Sequence, residues 1–108
     1  MNKYIHKVQY YETDRMGLVH HSNYIRWMEE ARMHFLDSIE MGFDELEKMG
    51  ITSPILEVNC KYRSGCTFGD SIEIETIIEK YNGVKMKIAY VMKNVKTKDL
   101  VATGETTL

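Results

Sequence analysis

The sequence predicts an α+β fold in which one long helix lies against one side of an antiparallel sheet. Three observations predict it. Apolar residues recur at helical spacing between Ser22 and Ile39. From Leu56 onward, apolar and polar residues alternate in strand fashion. Asn82-Gly83 stands between two such alternating runs and is the strongest short hairpin signal in the chain.

Taken in order, residues 3 to 11 alternate, with Tyr4, Val8 and Tyr10 on one face and Lys3 and Lys7 on the other. The run closes at Asp14, a poor strand former, and Gly17 supplies a tight turn at low steric cost. The helix begins at Ser22 or Asn23, either of which can cap the exposed N–H groups of a first turn. Tyr24, Trp27, Met28, Ala31, Phe35 and Ile39 form one apolar stripe. Ile25, Met33 and Leu36 widen it, which predicts burial on more than one side and leaves Glu29, Glu30 and Arg32 for water. Gly42 is a natural stop. A short second helix is expected from Asp44 to Met49, ended by Gly50, and Pro54 marks the passage into the sheet.

Leu56, Val58, Cys60 and Tyr62 then alternate with Glu57, Asn59, Lys61 and Arg63, the pattern of a half-buried strand. Gly65 and Gly69-Asp70 bracket a turn. Ile72, Ile74, Thr76 and Ile78 alternate with Glu73, Glu75 and Glu79. Beyond Asn82-Gly83, Val84, Met86, Ile88, Tyr90 and Met92 alternate with Lys85, Lys87 and Lys93. The Glu-rich and Lys-rich outer faces meet across this hairpin, which favours the pairing. Lys96 to Asp99 makes a second turn, and Leu100, Ala102 and Gly104 start a last strand. The predicted order is strand, long helix, then a four-strand meander. A single helix cannot cover five strands, so surface is left over for a partner subunit.

With 108 residues, the chain is expected to be one domain over 1–108, with a modest margin of burial that association would improve. The net charge of -2, with Lys and Arg interspersed among acids, excludes the basic block of a nucleic-acid binder. Lys3, His6 and Lys7 interrupt any apolar run at the start, and no segment approaches transmembrane length. Cys60 and Cys66 do not form a Cys-x-x-Cys unit and read as reduced thiols of a cytoplasmic protein.

The chemistry concentrates between Tyr10 and Tyr24. Asp14 is either a turn-forming aspartate or a carboxylate able to act as nucleophile or as general base toward water. The helix that follows presents unpaired N–H groups and positive partial charge, suited to an oxyanion. His20 and His21 are adjacent, so one is expected to face inward. A histidine there can orient a carboxylate, polarise a carbonyl, or serve only as a hydrogen-bonding loop residue. His20, His21, Glu29 and His34 do not match a metal-ligand spacing, and no metal site is expected. There is no Gly-x-Ser-x-Gly elbow, and neither cysteine has a histidine nearby in sequence. Trp27 and Phe35 read as core; His6 and His34 carry no particular signal.

Taken together, Tyr10-Tyr11-Glu12-Thr13-Asp14, Met16-Gly17, Val19, His21, Asn23-Tyr24 and the helix Trp27…Glu29-Glu30-Ala31-Arg32 resemble the hotdog-fold thioesterases. The resemblance is to the 4-hydroxybenzoyl-CoA thioesterase family, in particular its Tol-Pal-associated acyl-CoA thioesterase branch. Cys60-Lys61-Tyr62-Arg63…Phe68-Gly69-Asp70 is similar to that family's second block. The resemblance implies an antiparallel five-stranded sheet wrapped around a long central helix. It also implies a homodimer, often paired into a homotetramer, with active sites at the subunit interface. It implies Asp14 as the catalytic carboxylate, with His21 and Tyr10 beside it, and a polarising backbone N–H at or next to His21. Met16, Gly17, Val19, Tyr24 and Trp27 are expected along the acyl pocket, and Lys61 and Arg63 on the phosphates of coenzyme A. In two respects the sequence departs from the family. His20 stands where an aromatic is commoner, and the chain ends at Leu108, where family members usually continue the last strand and add a short tail.

The expected activity is therefore hydrolysis of an acyl-CoA thioester without metal or redox cofactor, coenzyme A being part of the substrate. Two alternatives remain: the same reaction on acyl carrier protein, and a non-catalytic hotdog that binds acyl-CoA. A hotdog dehydratase fits less well, since it is expected to place its histidine and acid differently. The sequence leaves the acyl group open.

Overall fold

The computed structural model describes residues 2–38, 54–82 and 85–108. Its elements are β1 (Asn2–Lys7), a 3-10 turn (Tyr10–Glu12), α1 (Ser22–Ser38), β2 (Glu57–Tyr62), β3 (Ser71–Tyr81), β4 (Met86–Asn94) and β5 (Leu100–Thr107). The expected stop at Gly42 and the short helix Asp44 to Met49 lie outside the described residues. No helix among the described residues is long and apolar enough to cross a membrane.

All five strands join one antiparallel sheet in the order β1-β3-β4-β5-β2. This corrects the expected four-strand meander. Only β3, β4 and β5 follow one another. β2 instead crosses to the far edge and pairs with β5, with Cys60 opposite Gly104. Alternation predicts that a segment is a strand, but its neighbour is chosen by which edge remains open.

The inward faces carry the core: Ile72, Ile74, Ile88, Tyr90, Met92, Val101 and Ala102 from the sheet, and Tyr24, Trp27, Met28 and Ala31 from the helix. In the single chain, helix burial follows this one stripe. Ile25 is exposed, while Met33, Phe35 and Leu36 are half-buried, so the expected burial on more than one side is not met here. Ile78 also departs from expectation and is 40% exposed. A register shift between Ile78 and Lys80 breaks the alternation there, as a bulge does. On the outer face the predicted charge pairing appears. Glu73 lies opposite Lys93, and Lys87 reaches Glu105 at 2.8 Å and Glu79 at 4.0 Å. At the β3–β4 turn, Asn82 Oδ1 accepts the Lys85 N–H at 2.7 Å.

β1 stops at Lys7, earlier than the alternation suggested. Tyr4, His6 and Val8 face inward, but Tyr10 leaves the strand and enters the 3-10 turn, where it is 75% exposed. The cause is Glu12. Its carboxylate turns back to accept the Gln9 N–H at 2.8 Å, and its own N–H donates to the Gln9 carbonyl at 3.0 Å.

Candidate functional site

Asp14 sits in a tight turn that its own side chain builds. Oδ1 accepts the N–H of Met16 at 2.8 Å and of Leu18 at 3.3 Å, an Asx-type arrangement. The main chain closes the same turn through Asp14 N–H to the Leu18 carbonyl (2.8 Å) and Gly17 N–H to the Asp14 carbonyl (3.0 Å). Gly17 takes φ +77°, a left-handed conformation that a glycine adopts without strain. Thr13 bridges Val19, so residues 13 to 19 form a miniature hairpin. Oδ2 of Asp14 takes no hydrogen bond from the described residues.

The helix start differs from the expected capping. Ser22 Oγ lies 2.9 Å from His20 Nδ1 and accepts from Arg26 Nη1, while the Asn23 side chain donates to the Glu12 carbonyl. The ring of His20 does the capping: its Nδ1 accepts the Ser22 N–H at 3.2 Å. The N–H groups of Asn23 and Tyr24 go to the carbonyls of His20 and His21, and that of His20 goes to Glu12. Across His20 to Tyr24, the His21 N–H alone has no acceptor among the described residues.

Two clefts meet at Asp14. One of about 640 Å³ is lined by His6, Tyr11, Glu12, Thr13, Asp14, His20, Ser22, Asn23, Arg26 and Glu30. A smaller one of about 300 Å³ is lined by Asp14, Leu18, Val19, His21, Tyr24, Tyr62, Arg63, Ser64 and Gly65. The second brings together Asp14, His21, Val19, Tyr24 and Arg63 of the residues singled out in the sequence. It adds Tyr62, whose ring stands edge-on to both Tyr24 (5.2 Å) and His21 (6.3 Å). Its hydroxyl donates to the His21 carbonyl at 3.3 Å. His20 and His21 stack on one another at 4.2 Å, each facing a different cleft.

Other expected site residues are placed elsewhere in the single chain. Tyr10 packs its exposed ring on Phe68 at 5.8 Å. Met16 is 78% exposed at the hairpin tip, and Lys61 is exposed on the outward face of β2. Trp27 is fully enclosed and lines neither cleft. Both cysteines are free. Tyr24 and Cys66 share a contact (Oη to Sγ, 3.3 Å), and burial pushes both pKa values up, further reinforced for Tyr24 by the Cys66 contact.

One feature missed in the sequence is the burial of Glu12. The residue is 5% exposed, and its carboxylate accepts from Gln9 N–H, from the His6 ring (Nε2, 2.8 Å) and from the Trp27 indole (Nε1, 2.7 Å). Burial works against its ionisation. The Gln9, His6 and Trp27 donors outweigh that and hold its pKa below the usual carboxylate value. The available signal was short: Gln9 and Glu12 have the spacing of a capping box.

Comparison with known proteins bears on the fold and the family. The chain is 36% identical to YneP of Bacillus subtilis, provisionally named an acyl-CoA thioesterase, over 82% of its own length and 64% of YneP. It thus spans just under two thirds of that relative. The DHNA-CoA thioesterase from Staphylococcus aureus superposes with a TM-score of 0.90 at 30% identity, over 98% of this chain and 70% of that one. BH1999 gentisyl-coenzyme A thioesterase superposes with a TM-score of 0.88 at 27% identity, over 98% and 85% respectively. One central helix against a five-stranded antiparallel sheet is the hotdog fold. Residues 8–108 match the Thioesterase-like superfamily, and the chain belongs to it.

Proposed function

We propose that this protein hydrolyses acyl-coenzyme A thioesters at Asp14. The observation that carries the proposal is the pairing of two uncommitted groups, Oδ2 of Asp14 and the N–H of His21, on residues that line the same cleft. The carbonyl oxygen of the thioester would take the His21 N–H as charge develops on it. Asp14 either attacks the carbonyl carbon, expelling the coenzyme A thiolate and leaving a mixed anhydride for water to cleave, or takes a proton from the water that attacks. In both cases the C–S bond breaks, and a carboxylate and a thiol result. A thiolate is a good enough leaving group that strong general-acid help is unnecessary. The ring of His21 then orients the substrate or Asp14.

The acyl group is read as planar and aromatic. Leu18, Val19, Tyr24 and Tyr62 line the cleft, and the edge-on rings of Tyr24, Tyr62 and His21 suit an aryl face. The names of the two similar thioesterases, on DHNA-CoA and gentisyl-coenzyme A, point the same way. Arg63 at the cleft rim, with Lys61 on the adjoining edge strand, would meet coenzyme A phosphates. Tyr10, Met16 and Gly17 would join the site from the hairpin side, and Trp27 would support the pocket from beneath. The active unit is read as a homodimer; exposed Ile55 and Leu56 beside the edge strand β2 support an interface there.

The test is thiol release from short, long and aromatic acyl-CoAs by wild type and by Asp14→Asn. The substituted amide keeps an Oδ1 for the Met16 and Leu18 N–H groups, so the turn should survive. We expect an aromatic preference in wild type and a loss of at least about a hundredfold in kcat for the variant. Near-wild-type turnover by Asp14→Asn would sink the assignment. Binding of acyl-CoA with no thiol release by wild type would make this a non-catalytic binder.

A further inference from the structure

We propose that Glu12 is a positioning residue that holds Asp14 in register with the His21 N–H; this rests on the thioesterase reading above. An ionised carboxylate that is 5% exposed loses hydration it can recover only through hydrogen bonds. An apolar residue would fill the same space at less cost, so the carboxylate calls for a reason. Its bonds supply one. Through its side chain, Glu12 ties together three separate segments: Oε1 holds the Gln9 N–H of the 3-10 turn and the His6 ring of β1, and Oε2 holds the Trp27 indole in the middle of α1. Through its carbonyl it holds the two groups that start the helix, the His20 N–H and the Asn23 side-chain amide, both at 2.9 Å.

The consequence is geometric. The hairpin carrying Asp14 leaves Glu12 and returns at Val19 and His20. The Glu12–His20 bond, the Thr13–Val19 bridge and the Asp14–Leu18 bond close it as a ladder. The ladder fixes the hairpin on itself, the Val19 N–H to Cys66 carbonyl bond and the Leu18–Thr67 bridge tie its far strand to the segment before β3, and the Asn23 N–H to His20 carbonyl bond joins its exit to the helix start. Glu12 adds the tie between the base of its first strand and the middle of α1. With the carboxylate anchored to Trp27 and the carbonyl anchored to Asn23, the base of the hairpin cannot slide along α1. Reacting groups displaced by about 1 Å lose rate steeply, so an anchor one turn removed from the chemistry acts on kcat.

Glu12→Gln tests this at constant size. An amide presents an acceptor at one end and N–H donors at the other, so it cannot accept from Gln9, His6 and Trp27 together. We expect kcat for an acyl-CoA to fall about tenfold or more while KM stays within about twofold, because Glu12 does not line the cleft of Val19, His21, Tyr24 and Tyr62 proposed to hold the substrate. Trp27→Phe removes only the Oε2 donor and keeps the packing, so it should show the same kcat-selective loss in smaller measure; it also serves if Glu12→Gln fails to fold. A second readout needs no turnover. The chain has a single tryptophan, so one indole N–H resonance reports on Oε2. The amide resonances of Met16 and Leu18 report on Asp14. In Glu12→Gln the indole signal and both amide signals should shift together. Lowered thermal stability with unchanged kcat, or a shifted indole with unmoved Met16 and Leu18 amides, overturns the proposal and leaves Glu12 merely structural. If wild type releases no thiol from any acyl-CoA, the thioesterase reading fails by itself, and the amide signals still decide whether Glu12 positions Asp14.

Discussion

The indole N–H of Trp27 donates to Oε2 of Glu12 at 2.7 Å, inside the protein. The largest apolar side chain of the helix thus ends in a bond to an ionised carboxylate. Apolar burial fixes where the ring lies, and the bond fixes how it is turned. The His6 ring also packs against Trp27, centroids 4.7 Å apart, and its Nδ1 faces Glu30 at 3.4 Å. Core and polar network are one unit here, and perturbing either reaches the other.

Acid should expose this coupling. The Glu12 pKa is lowered by its donors from the ordinary 4.5, despite the opposing effect of burial. A depressed folded-state pKa means stability that is present above the unfolded value and is lost as pH falls through the folded one. Thermal unfolding followed from pH 7 downward should therefore show melting temperature dropping below about pH 4.5, as the unfolded chain takes up the proton first and the folded carboxylate only further down. Glu12→Gln, neutral throughout, should start lower at pH 7 and fall less over that window. Parallel curves for the two proteins would show that Glu12 does not supply the acid sensitivity.

His21 offers two groups, a ring and an N–H, and substitution separates them. His21→Ala removes the ring and keeps the N–H, so turnover should fall less than in a variant that loses both. His21→Pro removes the N–H, and loss of one oxyanion donor costs about 2.7–4 kcal/mol of barrier, a further hundredfold or more. The His20 carbonyl and the Ser22 N–H are untouched by either change, so the helix start should persist, as far-UV circular dichroism can verify. Equal losses in the two variants would assign the role to the ring.

The thiols should differ in reach. Cys66 is buried, with its pKa pushed up by burial while its contact to Tyr24 pulls slightly the other way. Thiolate is the reactive form, so Cys66 is protected twice. Cys60 is half-buried. With a thiol reagent at about pH 8, Cys60 should label first, with Cys66 at least about a hundredfold slower until the chain unfolds. Mass mapping of the labelled peptides checks the order.

The elements were legible because each has a local period: the stripe from Tyr24 to Ala31, and the alternation of Ile72, Ile74 and Thr76. What period could not supply was partnership. Nothing local to Leu56–Arg63 says that this strand pairs with β5 and not with β3. Of the candidate site, Asp14 stood out from its turn, while His21, Tyr24 and Arg63 were named through the family resemblance; a turn, a helix start and the end of β2 bring the four to one cleft. Tyr62 was seen as a strand residue only, because its place beside His21 depends on that same unforeseen pairing. Glu12 was missed for a related reason. Its three donors come from residues 6, 9 and 27, and only the fold brings those together.

The crossing of α1 over β5 gives the most direct test of packing. Gly104 lies opposite Cys60 on one side and Tyr90 on the other, on the inward face beneath the helix. A Cβ built there would come 2.5 Å from Met28 Sδ, 3.3 Å from Met28 Cε and 3.0 Å from the Asn59 carbonyl. Its φ carries no left-handed strain, so space alone demands the glycine. The methionine can swing away, but Met28 is itself fully buried and has few empty rotamers. The Asn59 carbonyl belongs to the β2–β5 ladder and can move only by bending the edge strand. Gly104→Ala should therefore destabilise the protein by about 1–3 kcal/mol in chemical denaturation. Met28→Ala alone should cost about 2–5 kcal/mol as a buried cavity, and the double variant should lose clearly less than the two single losses together, because the sulfur clash is gone while the carbonyl contact remains. The two changes should be strongly non-additive, as expected for residues in direct contact. Simple addition of the two single effects would mean that the helix does not approach the sheet at Gly104 as closely as these distances require.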